Sequence, residues 1–242
     1  MGKEVVALGE AGYRGATVTV GVDPAADGRE SVPTYTSFDK IPCSVCADCI
    51  VDFSCPILTK KAIEYAKVNK VPLVIGTTGL EDELIQKIHE LAKVVPVTHS
   101  SNFSIGVALL KKLLRVALFC LEDFDIELTE KHHATKVDSP SGTAKELMAT
   151  IKAFDESKTF VFGRNFSQKR SKSQVGVFSL RGGSVVGEHI VEFFGEGQEV
   201  ALLHRATDRQ IFADGALKVA QKICKMDKGF YRIEDFFCEK NY

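Results

Sequence analysis

Residues 49–79, CIVDFSCPILTKKAIEYAKVNKVPLVIGTTG, decide the fold. The apolar run from Cys49 to Phe53 reads as a buried parallel strand. Thr59 to Asn69 reads as a helix with Ala62, Ile63 and Ala66 on its inner face. Val71 to Ile75 is a further strand, and Gly76-Thr-Thr-Gly79 follows at its carboxyl end. Strand, helix and strand in so short a span form a parallel βαβ unit with a right-handed crossover.

The same alternation extends outward. Thr17 to Val22 is β-branched and ends at Asp23, so it reads as a strand. Glu81 to Val94 carries Leu84, Ile85, Ile88 and Leu91 at helical spacing, and Val94 to Val97 is a short strand. This half is expected to be α/β, doubly wound and Rossmann-like. Beyond it the pattern changes. Ser104 to Leu121 is a long apolar helix, Phe124 to Glu130 a strand and Ser141 to Phe154 a helix. Gly176 to Arg181, Val185 to Phe194 and Glu199 to Ala206 follow as strands, and their Gly-Gly and Gly-Glu-Gly turns predict antiparallel hairpins. Gln210 to Lys225 is a last helix that packs back on the first half. The expected domains are therefore 1–103 with 210–242, and 104–209, joined through a polar hinge at Ser100–Ser104. The basic stretch from Gln168 to Gln174 is expected to be a mobile, solvated loop.

Composition narrows the function. The chain has 242 residues, 26% of them charged, with a net charge of -1. That balance does not call for nucleic acid or an anionic membrane as a partner. No apolar run reaches the length of a membrane span, and no basic stretch followed by an apolar core opens the chain. A cytoplasmic enzyme is the expectation. Four of the seven cysteines crowd together: Cys43, Cys46, Cys49 and Cys55. Their spacing approaches that of an iron–sulfur ligand run, but its last gap is too long and a strand would carry Cys49 away from Cys43 and Cys46. No metal is expected. The alternative from another class is a non-catalytic metal- or redox-sensing protein built on these thiols.

Three segments carry chemistry. The first is Glu130-Lys-His-His-Ala-Thr-Lys-Val-Asp-Ser-Pro-Ser-Gly-Thr143. Ile126, Leu128, Glu130 and His132 share one strand face, so the strand must end near the histidine pair if His132 and His133 are to serve one site. Ser141 can cap a helix starting at Gly142 or Thr143, whose free N–H groups suit a carboxylate, and Lys136 adds a positive charge. The second is the Gly76-Thr-Thr-Gly79 turn, where Thr77 and Thr78 can cap the next helix and present hydroxyls and N–H groups to a cofactor. The third is Asp23, placed to accept hydrogen bonds from ribose hydroxyls.

Taken together, these segments resemble the 4-hydroxy-tetrahydrodipicolinate reductase family, also called dihydrodipicolinate reductases. The likeness runs nearly end to end. It includes Glu130-Lys-His-His with Lys136, Asp138 and Pro140-Ser-Gly-Thr143. It also includes Val51-Asp-Phe-Ser, Asn102-Phe-Ser, Arg181-Gly-Gly, Val186-Gly-Glu-His189 and Phe212-Ala-Asp-Gly215. The resemblance implies reduction of a cyclic unsaturated imine dicarboxylate by NADH or NADPH in lysine and diaminopimelate biosynthesis. It implies His132 as proton donor or acceptor and Lys136 as proton donor, with His133, Ser141, Gly142 and Thr143 holding substrate. It assigns cofactor contacts to Gly76, Thr77, Thr78, Ser100, Ser101, Asn102 and Phe103, beside Asp23. It also implies a homotetramer built through the second domain.

The beginning departs from the family pattern of strand, G-x-x-G-x-M-G loop and helix. Met1-Gly2-Lys3 resembles the end of that loop, which leaves the first strand and most of the loop absent. On this reading Lys3 to Ala11 is a helix and Thr17 to Val22 the first strand. The sheet then shows a gap or rearranged pairing between that strand and Ile50–Phe53. A rival reading makes Val5-Val-Ala-Leu8 a strand and Gly9, Gly12 and Gly15 a phosphate loop. It is less favoured because the loop runs into Ala16-Thr-Val-Thr-Val20, not into a helix.

Overall fold

The computed structural model describes residues 1–164 and 167–237, so 165–166 and 238–242, which belong to the expected domain ranges, lie outside the described residues. The chain divides into two compact units, Met1–Ser104 with Gln210–Tyr242, and Ile105–Arg209.

The first unit runs α1 (Gly2–Glu10), β1 (Gly21–Val22), β2 (Thr34–Tyr35), β3 (Ile50–Asp52), α2 (Pro56–Asn69), β4 (Leu73–Ile75), α3 (Asp82–Ala92) and β5 (Pro96–His99). The second unit holds α4 (Ile105–Cys120), β6 (Asp125–His132), α5 (Gly142–Phe154), β7 (Thr159–Phe162), β8 (Gln174–Arg181), β9 (Gly187–Gly195) and β10 (Gln198–Ala206). The chain then returns to the first unit with α6 (Gln210–Ile223), β11 (Gly229–Tyr231) and α7 (Ile233–Phe237).

The first unit is Rossmann-like: β11, β5, β4 and β3 form a parallel sheet in that order. Leu73, Ile75 and Val97 are fully buried in one cluster with Ala62, Ile63 and Ala66 of α2 and Ile88 and Leu91 of α3. Pro56 opens α2 at its first turn, where a missing N–H costs nothing, so the helix starts earlier than Thr59.

The opening residues are helical. Val5 packs with Ala213 and Leu217 of α6, and a Cβ on Gly9 would come within 2.6 Å of Val18 Cγ2. Gly12, Arg14 and Gly15 then adopt positive φ and lead into extended chain rather than a second helix. Gly9, Gly12 and Gly15 therefore do not form a loop feeding a helix. Arg14, a strained residue at φ 58°, is pinned by its bond to Asp214 Oδ1 at 2.6 Å. Of the expected strand Thr17 to Val22, only Gly21–Val22 joins a ladder, and its partner is Thr34–Tyr35. That ladder is separate from the four-stranded sheet, which ends at β3 among the described residues. The expected rearrangement is thus present.

The second unit is a five-stranded mixed sheet in the order β10-β9-β6-β8-β7, with α4 and α5 on one face. The strict burial alternation of β6 sends Ile126, Leu128, Glu130 and His132 toward that face. One expectation fails here. β8 and β9 are not a hairpin, because β6 lies between them, parallel to β8 and antiparallel to β9. Only β9 and β10 pair as a hairpin. The basic stretch also departs from a purely solvated loop. Arg170 reaches Asp125 Oδ1 at 2.5 Å, Glu127 Oε1 at 3.1 Å and the carbonyls of Ile126 and Gln174. A charged side chain with that many acceptors is held in one place.

Candidate active site

The second unit gathers titratable groups around one buried carboxylate. Glu130 is 0% exposed. Its Oε2 accepts from His132 Nδ1 at 2.6 Å and from Arg181 Nη1 at 2.8 Å. Its Oε1 accepts from Arg181 Nη2 at 2.8 Å and from the Ser141 N–H at 3.1 Å. Burial works against ionisation, but bonds from His132, Arg181, Ser179 and Ser141 outweigh it and hold the carboxyl below the usual carboxylate range.

Strand register builds the arrangement. Glu130 stands opposite His189 on β9 and opposite Ser179 on β8, while His132 stands opposite Arg181. Same-row side chains on adjacent strands lie close enough to interact. The rings of His132 and His189 meet edge to face at 5.2 Å. β6 ends at His132, so His133 leaves the strand, and its Nδ1 bonds Thr135 Oγ1 at 2.8 Å. A Cβ on Gly187 would lie 3.1 Å from His132 Nε2, so glycine there keeps space open at the unbonded ring nitrogen.

Ser141 caps α5, accepting from the Ala144 N–H at 3.2 Å. Such a cap is worth about 1 kcal/mol. Its Oγ also lies 2.9 Å from His189 Nε2. Burial pushes the His189 imidazole down to about 3, helped by the neighbouring His132, His204 and Lys136 and opposed by Glu130. His189 is therefore neutral, and its Nδ1 has no partner. Lys136 extends to Asp138 Oδ1 at 2.7 Å, and Arg181 donates to the Asp138 carbonyl at 2.7 Å. The Lys136 bond lowers the Asp138 carboxyl. His132, Lys136, Ser141 and Thr143 thus belong to one neighbourhood, with Gly142 exposed at the helix start. Glu130, Arg181 and His189 complete it and were not among the site residues expected from sequence.

In the first unit the expected cofactor residues gather at the carboxyl ends of parallel strands, and some are already engaged. Thr77 Oγ1 donates to Asp52 Oδ2 at 3.0 Å and accepts from the Ser54 N–H at 3.0 Å. Asp52 also accepts from Thr59 Oγ1 at 2.5 Å. The Thr77 hydroxyl is therefore a strut. Nor do Thr77 and Thr78 cap α3, which begins behind Glu81 without a side-chain cap. A Cβ on Gly76 would fall 2.1 Å from the Phe53 ring, so that turn requires glycine. Ser100 Oγ bonds the Asn102 carbonyl at 2.8 Å, and Asn102 Oδ1 accepts from the Ser104 N–H at 2.8 Å. The Phe103 ring packs edge-on against Phe53, and the whole residue is buried, its carbonyl lying 1.8 Å from where a Cβ on Gly215 would fall. Thr78 and Ser101 are exposed hydroxyls, and Asp23 is an exposed carboxylate just past β1. Hydroxyls beside strand ends with a carboxylate after a strand form a donor and acceptor set that fits a dinucleotide.

Among the described residues, no group of three or more His, Cys, Asp or Glu converges as a metal site. Cys43, Cys46 and Cys55 are exposed. No helix among the described residues is long and apolar enough to cross a membrane.

Comparison with known proteins gives a consistent picture. Residues 1–103 match the family model of the dihydrodipicolinate reductase N-terminus, and residues 106–237 match that of its C-terminus. A 4-hydroxy-tetrahydrodipicolinate reductase of Clostridium novyi is 40% identical over 95% of this chain and 91% of its own length. One from Staphylococcus haemolyticus is 42% identical over 86% of each chain. Among solved structures, the dipicolinate-bound dihydrodipicolinate reductase of Paenisporosarcina sp. TG-14 superposes with a TM-score of 0.80 at 24% identity, covering 97% of this chain and 94% of its own. A scyllo-inositol dehydrogenase of Lactobacillus casei shares the fold more distantly, with a TM-score of 0.60 at 14% identity over 98% of this chain and 88% of its own.

Proposed function

The chain belongs to the dihydrodipicolinate reductase family, and on that footing we propose that it reduces the dehydrated form of 4-hydroxy-tetrahydrodipicolinate to tetrahydrodipicolinate in lysine and diaminopimelate biosynthesis. The observation that carries the reading is Glu130 joining His132, Arg181 and the start of α5 in one buried constellation.

Bound NADH or NADPH supplies a hydride. Conjugate addition to the ring leaves electron density that must be met by a proton. Glu130 accepts from His132 Nδ1, which directs Nε2 outward as the ring atom that exchanges the proton with substrate. His132 and Lys136 are the proposed catalytic residues. Lys136 offers an ammonium proton and a positive charge close to the His189 ring. The α5 start at Ser141, Gly142 and Thr143, together with His133, holds a substrate carboxylate at the positive end of the helix. The Gly76-Thr77-Thr78 turn, Ser100 to Phe103, and Asp23 are the proposed dinucleotide contacts, with Thr78 and Ser101 the exposed hydroxyls among them. The first unit is the proposed dinucleotide-binding domain and the second the proposed substrate domain.

The assembly proposed is a homotetramer built through the second unit, in the cytoplasm, without nucleic-acid or membrane partners. The sheet face opposite α4 and α5 supports this assembly: Leu180, Phe194 and Leu203 stand exposed there, although large apolar side chains are usually covered. Steady-state oxidation of NADH or NADPH on freshly generated 4-hydroxy-tetrahydrodipicolinate tests the reaction. Cofactor oxidation that tracks substrate concentration is expected, and oxidation indifferent to substrate would refute the proposal.

A further inference from the structure

The carboxyl ends of three strands in the first unit converge on one residue, Thr77. Asp52 is the last residue of β3, and both it and Thr77 are buried. The Asp52 carboxylate accepts from Thr77 Oγ1 at 3.0 Å, from Thr59 Oγ1 near the start of α2 at 2.5 Å and from the Ser54 N–H at 3.0 Å. The Ser54 hydroxyl also donates to it. In the backbone, the Asp52 carbonyl accepts from the Gly76 N–H at 2.7 Å. From the other side His99, the last residue of β5, donates from Nε2 to the Thr77 carbonyl at 3.1 Å. Thr77 follows β4, so it is held at its hydroxyl from one neighbouring strand and at its carbonyl from the other.

Burying a carboxylate among hydroxyls and N–H groups is costly, because these donors bring no full positive charge to offset it. What the carboxylate supplies is direction. It can only accept, so the hydroxyls of Ser54, Thr59 and Thr77 are fixed as donors toward it.

We propose that Asp52 is a positioning residue for the dinucleotide, acting through Thr77, with His99 as the second arm of the clamp. The inference rests on the dinucleotide reading of the first unit. In a trans peptide the carbonyl and the following N–H point in opposite directions. Fixing the Thr77 carbonyl on His99 therefore fixes the Thr78 N–H away from His99, next to the exposed Thr78 side chain. A turn ordered before the cofactor arrives has little freedom left to lose on binding. Asp52 thus sets cofactor affinity without touching the cofactor.

The test is fluorescence titration with NADH of the whole protein and five variants. Asp52→Asn and Thr77→Val should each raise the NADH Kd roughly tenfold, the scale of a lost hydrogen bond to a charged group. The double variant should bind no worse than Thr77→Val alone, because both changes remove the same strut. Thr77→Ser keeps the hydroxyl and should keep the affinity. Thr59→Val removes another bond to the same carboxylate, so it should lower Tm and leave Kd in place. An Asp52→Asn protein with wild-type Kd would overturn the clamp, as would losses that multiply in the double variant. If Asp52→Asn does not fold, the two Thr77 variants still decide: equal weakening in Ser and Val would overturn it. So would a Thr59→Val protein that binds NADH as poorly as Thr77→Val. A wild-type chain that binds neither NADH nor NADPH would overturn the dinucleotide reading itself, and the clamp with it.

Discussion

Glu130 Oε2 and His132 Nδ1 stand 2.6 Å apart, two residues along the same strand face, and a paired arginine, Arg181, grips the carboxylate from the neighbouring strand. The strand repeat brings the first two together, and the β6–β8 register brings the third. A neutral acid in this position could not fix the ring in the same way. The ionised one determines which nitrogen of His132 faces outward.

Replacing Glu130 with Gln keeps the shape and removes the charge. The expected result is a fall in kcat of roughly 10²-fold or more, with NADH affinity little changed. Loss of a buried partner for Arg181 should also lower stability, by up to about 3–5 kcal/mol. Steady-state kinetics beside a denaturant titration separate the two effects. A kcat that holds while only KM rises would leave Glu130 as a binding residue.

Lys136→Ala should cut turnover far more than it weakens NADH binding, since its ammonium is proposed to serve the substrate. Fluorescence titration with NADH and single-turnover rates check this. Equal losses in both would move Lys136 out of the catalytic role.

His189 gives a pH prediction with a definite sign. Its folded-state value, about 3, lies below the ordinary 6.5, so below pH 6.5 the unfolded chain binds a proton that the folded chain refuses. The stability held near neutral pH is therefore lost as pH falls from about 6.5 toward 3. His189→Gln should flatten this part of the stability–pH curve. Thermal denaturation of both proteins across that window reads it directly. Parallel curves would show that His189 does not titrate on unfolding.

Asp23 should set cofactor preference. Its exposed carboxylate suits a free ribose hydroxyl and repels a 2′-phosphate, and Pro24 beside it adds no cation. NADH should serve at least as well as NADPH, with Asp23→Asn shifting kcat/KM toward NADPH. A clear wild-type preference for NADPH would contradict this.

Much of the fold is legible in residue order because short-range periodicity carries it. The helical spacing of Leu84, Ile85, Ile88 and Leu91 and the Ser141 cap are local facts that appear where they were expected, and the strand expected over 71–75 is observed over 73–75. What was missed depends on distant pairing. Arg181 lies 51 residues from Glu130, and Ser141 lies 48 from His189, so only the strand order joins them. Arg181 and His189 lay within motifs already singled out, yet periodicity could not show that they face Glu130. The insertion of β6 between β8 and β9 is likewise a long-range choice that a Gly-Gly turn does not reveal. Thr77 shows the same limit: its hydroxyl reads as a ligand until the buried Asp52 takes it.

The proposed reaction is delivery of hydride from a nicotinamide to the unsaturated ring. The most direct test supplies NADH deuterated on the transferred side of the nicotinamide ring, together with freshly generated 4-hydroxy-tetrahydrodipicolinate, and analyses the product by mass spectrometry. The expected product is tetrahydrodipicolinate carrying one deuterium, in step with cofactor oxidised. Product without deuterium, or cofactor oxidised without product, would contradict it.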